Sequence, residues 1–143
     1  MGCAKTYSVA DFNKFKKTGR IGEKKKRNTE EQDLQMNCVT WFNMAYPGEI
    51  IAHYPSGGYR TKAEAGIFKA MGVNKSFPDI MILAKRLCFG GLYIELKAKG
   101  KEPDESQLNY IDKLKRKGYF ATWTDDIDKF MGIVRHYMNL KEV

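Results

Sequence analysis

Apolar residues recur along this chain at two different periods, and the changes of period mark out its elements. Leu34, Cys38, Trp41, Phe42 and Ala45 fall at helical spacing and predict a helix from 29 to about 46. Thr29 and Gln32 stand three apart at its start, as in a capping box, and Pro47-Gly48 stops it. Residues 49–54 (EIIAHY) read as a strand, and 55–58 as a loop. A second helix is expected over 61–71, with Thr61 and Glu64 as its capping box and Gly72 just past its end. Residues 76–98 (SFPDIMILAKRLCFGGLYIELKA) read as two short apolar strands joined by a turn over 85–91. A helix follows from about 103, with Leu108, Ile111 and Leu114 on its buried side and Gly118 closing it. Residues 119–123 form a last strand. Ile127, Phe130, Met131, Val134 and Tyr137 stripe a last helix. A short helix over 8–17 precedes all of these. The order predicts a mixed sheet with helices on its faces, an α/β (α+β) fold with an αβββαβ core.

Composition bounds this picture. At 143 residues with 43% hydrophobic positions, the chain is one globular domain rather than a disordered one. No apolar run approaches the length of a membrane span, so no membrane role is expected. Cys3, Cys38 and Cys88 are odd in number and widely spaced. They fit neither a disulfide scaffold nor a CxxC zinc site, and point to a reducing, cytoplasmic compartment. The net charge of +8 is unevenly distributed. Residues 1–28 carry nine Lys/Arg against two acids, whereas 29–143 carry sixteen against fifteen. The division is therefore a basic N-terminal arm (1–28) and a nearly neutral domain (29–143). Within the arm, Lys24, Lys25, Lys26 and Arg27 are candidate contacts to a polyanion, most often nucleic acid.

Three residues of the strand pair do not suit an apolar sheet. Asp79 opens the first strand, and Glu95 and Lys97 lie in the second. Alternation puts Glu95 and Lys97 on one face, with Leu92, Ile94 and Leu96 on the other. Buried charges are costly unless paired. The fifteen residues between Asp79 and Glu95 suffice for a strand, a turn and a return strand, so the two carboxylates can meet. Hard oxygen ligands of this kind suit Mg²⁺ or Mn²⁺, and the Leu96 carbonyl offers a further oxygen. Lys97 is then placed to orient a water or offset charge on a phosphate. Such a centre hydrolyses phosphodiesters.

Pro78-Asp79 followed by Glu95-Leu96-Lys97 resembles the PD-(D/E)xK nuclease superfamily, and specifically its VRR-NUC branch. Glu31-Gln32-Asp33-Leu34-Gln35 is similar to that family's first-helix motif. Ser56-Gly57-Gly58-Tyr59-Arg60 with Phe68-Lys69-Ala70-Met71-Gly72 resembles the segment that phage members carry before their PD. Ser106-Gln107 resembles a helix glutamine that follows the ExK strand. The resemblance implies a restriction-endonuclease-like mixed β-sheet flanked by helices. It implies that Asp79 and Glu95 are metal ligands, that Glu31 joins the site directly or through water, that Lys97 is catalytic, and that Gln107 positions water or phosphate. It also implies DNA as substrate, a homodimer suited to branched DNA such as four-way junctions, and a bacterial host cytoplasm for a phage-encoded member. Many relatives carry Gly-Val before Pro-Asp, where this chain has Ser76-Phe77.

Plainer explanations compete at several positions. Glu31 alone is a first-turn acid favoured by the helix dipole. Asp104 and Gln107 have capping-box spacing, which by itself explains Gln107. Tyr54, Tyr59 and Arg60 suit DNA contacts, and the tyrosines suit half-buried packing equally. Glu23-Lys24-Lys25 lacks a preceding PD, and Pro103-Asp104 lacks a following (D/E)xK. His53 and His136 are the only histidines, which disfavours an HNH nuclease. The rival functions are a non-catalytic DNA-binding protein with a structural charge cluster, and a sequence-specific restriction-type endonuclease.

Overall fold

The computed structural model describes residues 29–55 and 61–142. The predicted helix over 8–17, the basic arm, Tyr59 and Arg60 lie outside the described residues. Four helices and four strands follow in the order α1 (Thr29–Ala45), β1 (Ile51–His53), α2 (Lys62–Ala70), β2 (Ile80–Ile82), β3 (Leu92–Leu96), α3 (Glu105–Arg116), β4 (Phe120–Thr124) and α4 (Ile127–Met138). The predicted order holds. Among the described residues, no helix is long and apolar enough to cross a membrane.

The strands form one sheet in the order β1-β2-β3-β4. The β1–β2 and β2–β3 pairs are antiparallel, and β3–β4 is parallel, so α3 is the crossover between the last two strands. Alternation along β3 divides the structure into two layers. Leu92, Ile94 and Leu96 point to one face and join Ile80 and Ile82 in the main core. Helix α1 adds Cys38, Trp41 and Phe42 to that core, and α4 adds Phe130, Met131, Val134 and Tyr137. Each of these large side chains contributes about 1.5–3 kcal/mol by leaving water. The opposite face carries Tyr93 and Ala121, which pack with Trp123 under Ile111 and Leu114 of α3. Glu95 lies on this second face.

Several local signals account for the element ends. The Thr61/Glu64 box caps α2, and Gly72 follows its C-terminal turn at φ +94°. Gly118 has φ +86° where the chain leaves α3 and enters β4. Strand β1 is shorter than the predicted 49–54, but its pairing runs on at both ends. Leu83 N–H donates to Ile50 C=O at 3.0 Å, and Tyr54 N–H donates to Asp79 C=O at 2.9 Å. The β2–β3 turn is closed by an isolated Arg86–Phe89 bridge and held by α4, where the Tyr137 hydroxyl donates to Ala84 C=O at 2.7 Å. Helix α2 buries none of its residues and leaves Ile67 exposed, with Met71 exposed just beyond its end.

Candidate active site

The pairing register brings the two carboxylates together. Ile80 faces Ile94 across the antiparallel β2–β3 pair, and one step further Asp79 faces Glu95. Directly opposed side chains in a sheet stand within about 4.5–5.5 Å at Cβ, and like charges there repel. Asp79 is anchored at both ends. Its Oδ2 accepts the Leu96 N–H at 2.9 Å, and its carbonyl accepts the Tyr54 N–H at 2.9 Å. The same carbonyl lies 2.9 Å from His53 Nδ1. His53 therefore abuts the site, although its isolation in the sequence suggests only a structural histidine. The signal for it is register, since a strand ending at residue 53 or 54 must pair with the start of β2.

Glu95 is buried, with only 3% of its side chain exposed. Its Oε1 takes the Lys97 ammonium at 2.7 Å and the Gln107 Nε2 at 2.5 Å. Lys97 also reaches Glu31 Oε1 at 3.5 Å, from the first turn of α1. Its backbone N–H is held by Thr124 C=O at 3.0 Å. Four sequence-predicted residues, Glu31, Glu95, Lys97 and Gln107, thus form one connected cluster, with Asp79 across the strand pair. Glu31 makes its contact through Lys97.

Gln107 caps its helix as its spacing predicts, and it also reaches Glu95. Its Oε1 accepts the Asp104 N–H at 3.0 Å while Asp104 Oδ1 accepts the Gln107 N–H at 2.9 Å, completing the capping box of α3. The amide nitrogen is then left facing Glu95. An amide carries both an acceptor and a donor, so the same side chain caps the helix and holds a buried carboxylate. The neighbouring loop is also secured. Lys99 pairs with Asp126 at 2.6 Å, and the Gly100 N–H donates to Asp125 Oδ2 at 2.9 Å. Asp125 and Asp126 escape a reading based on periodicity, because loop-to-loop ties leave no periodic trace.

The electrostatics follow from burial and from the opposed charges. Glu95 is raised from 4.5 to about 7, first by burial, then by the Asp79 charge, against the opposing effect of Lys97. Burial also raises Asp79, partly offset by the Leu96 N–H and Lys97. Burial alone would lower Lys97, but its hydrogen bond to Glu95 and the surrounding carboxylates outweigh that and raise it. The site therefore carries negative charge that one lysine does not fully balance. That imbalance suits a divalent cation. Among the described residues, no three His, Cys, Asp or Glu side chains gather as a cage. Magnesium does not require one, because it is commonly held by one or two carboxylates with water and substrate phosphate completing its shell. The residues fit such an ion: Asp79 and Glu95 would hold it, with the Leu96 carbonyl as a further oxygen.

Tyr54 has a packing role. Its ring lies 4.6 Å from that of Phe77, and its hydroxyl accepts the Asn74 N–H at 2.8 Å.

No family model matches the chain, and no curated protein is found to match it. Solved structures do. A VRR_NUC domain protein superposes with a TM-score of 0.67 at 26% identity, covering 82% of this chain and 94% of its own. The chain is thus similar to a VRR-NUC domain protein in both fold and sequence. A second VRR_NUC domain shares the fold at a TM-score of 0.52 and 16% identity, over 76% of this chain and 97% of its own. This chain has the predicted architecture, a four-stranded mixed sheet flanked by helices, and shares it with these domains.

Proposed function

We propose that this protein is a Mg²⁺- or Mn²⁺-dependent DNA endonuclease of the VRR-NUC family working in the PD-(D/E)xK manner. The observation that carries the reading is Asp79 opposite Glu95 at one end of the two central strands, with Lys97 bonded to Glu95. A divalent ion held there supplies Lewis acidity toward phosphate and water. Gln107 and Lys97 fix the Glu95 carboxylate, and the Leu96 N–H fixes that of Asp79. The Lys97 ammonium then offers its remaining protons to a water or to a non-bridging phosphate oxygen. Water attacks phosphorus in line and releases a proton to solvent, the P–O3′ bond breaks, and the leaving oxygen takes a proton from solvent. The products are a 5′-phosphate and a 3′-hydroxyl. Glu31, at 3.5 Å from Lys97, keeps that lysine charged and oriented.

On this reading the arm residues Lys24, Lys25, Lys26 and Arg27, together with Tyr59 and Arg60, contact the DNA. Branched duplexes, four-way junctions among them, are the proposed substrates and a homodimer the proposed form. The exposed Ile67 and Met71 on and beside α2 support the dimer, because exposed apolar side chains offer a contact to a second copy. The test is a cleavage panel of single-stranded, linear duplex, flap and four-way-junction DNA with each metal. Wild type should cut the junction best, and Asp79→Ala and Glu95→Ala should lose at least about a hundredfold in rate while still binding DNA. Binding without cleavage by wild type would establish the non-catalytic rival. Cleavage at one fixed sequence would establish the restriction-type rival.

A further inference from the structure

We propose that Ser76 and Ser106 are positioning residues, joined by a hydroxyl bridge that sets the first turn of α3 against the Asp79 segment. The proposal rests on the nuclease reading above. The two Oγ atoms are 2.9 Å apart, although the residues are thirty positions apart in the chain. The direction of the bridge follows from proton counting. A serine hydroxyl has one proton, and that of Ser106 goes to Asp104 Oδ1 at 2.8 Å. Ser76 must therefore donate to Ser106. Ser76 is itself oriented by its N–H, which donates to Asn74 Oδ1 at 2.9 Å.

The bridge completes a circuit. From Ser76 it passes through Ser106 to Asp104, from Asp104 to Gln107 through the capping box, and from Gln107 to Glu95. Beside Glu95, the Leu96 N–H returns to Asp79, three residues beyond Ser76. Three segments that are separate in sequence, 76–79, 95–96 and 104–107, are thus tied in one closed ring, and both acids belong to it. The apolar anchors of α3, Ile111 and Leu114, lie further along the helix. Near its first turn, Phe77 meets Tyr110 at 5.6 Å and the serine bridge supplies the polar tie. A ring contact tolerates sliding, whereas a hydrogen bond specifies distance and direction. Because Ser106 spends its proton on an ionised carboxylate, its oxygen is a better acceptor for Ser76, and the bonds reinforce one another.

A bridge between exposed hydroxyls adds little to global stability, but a small misplacement of catalytic groups costs rate. The test compares Ser76→Ala, Ser106→Ala, the double variant and Ser106→Thr. Each single alanine should lower kcat by about tenfold with KM within about twofold. The double should be no worse than Ser106→Ala, since that variant already loses both the bridge and the bond to Asp104. Ser106→Thr keeps the hydroxyl and should retain most of the rate. A readout independent of cleavage is the Gln107 side-chain amide signal in nitrogen-15 NMR, which should move alike in both alanine variants. Rate losses that multiply in the double variant, or a Gln107 signal that stays in place, overturn the proposal. Wild-type protein that cuts nothing sinks the nuclease reading instead, and the Gln107 signal then still decides the bridge.

Discussion

Glu95 is the residue at which burial, charge and chemistry conflict most. In the folded protein it keeps its proton up to about pH 7, whereas an ordinary glutamate releases it near 4.5. Between those values the folded state binds more protons than the unfolded state, so stability falls as pH rises. Asp79 is shifted in the same direction. Asp104, Asp125 and Asp126 are shifted the other way and lose their contribution only as pH drops below the ordinary aspartate range. The window from pH 5 to pH 8 therefore isolates the central pair. In EDTA the protein should melt about 4 °C lower at pH 8 than at pH 5. Glu95→Gln should remove most of that difference, and Mg²⁺ or Mn²⁺ should raise the pH 8 value more than the pH 5 value. A melting temperature that is flat across the window, and equally flat in the Gln variant, would show that the opposed carboxylates are not strained. Identity and spacing in the sequence pointed to Asp79, Glu95 and Lys97. They could not indicate that Gln107 would hold Glu95 itself, because that contact depends on how the start of α3 sits against β3. Neither could they reveal the proximity of His53, which depends on strand register.

At the scale of elements, the two ends of the β2–β3 pair have different roles. Asp79 stands where β2 begins, and Arg86 lies beyond its other end, in the turn. Arg86 is buried, pairs with Glu49 at 3.3 Å and Glu142 at 3.2 Å, and donates to the carbonyls of Lys85 and Met138. It therefore ties the turn to the start of β1 and to the end of α4. Removing it leaves partly exposed acids and unpaired carbonyls, a cost of about 2 kcal/mol. Arg86→Ala should lower the urea midpoint accordingly while leaving kcat within about twofold. A large fall in kcat at temperatures where the variant is fully folded would mean that the turn communicates with the site. The amphipathic stripes made α1, α3 and α4 legible, because each stripe has a sheet face to cover. Helix α2 shows the limit of that reading. Its capping box and the glycine past its end predict a helix correctly, but they do not say how deeply it packs, and none of its residues is fully buried. Strand order and the parallel β3–β4 pairing are long-range outcomes in the same sense. They follow from α3 being long enough to act as a crossover, not from any pattern within the strands.

For the whole molecule the decisive quantity is where the charge lies. Residues 29–143 are close to neutral, and their cations are partly consumed by Asp125, Asp126 and the site carboxylates. Most of the excess positive charge belongs to residues 1–28, with nine Lys/Arg against two acids. Affinity for duplex DNA then depends on the arm through counterion release, at about 0.9 in the slope of log K against log salt for each phosphate neutralised. If about five arm cations engage phosphates, deleting residues 1–27 should flatten that slope by roughly four to five units. The affinities of full-length and shortened protein should therefore differ most at low salt and converge as salt rises. Cleavage at saturating DNA should be unaffected, since Asp79, Glu95, Lys97 and Gln107 are held by the sheet and α3. Titrating labelled junction DNA over a range of salt concentrations, with Ca²⁺ or EDTA to prevent cutting, measures both quantities. An unchanged slope would assign the electrostatic contacts to the domain itself.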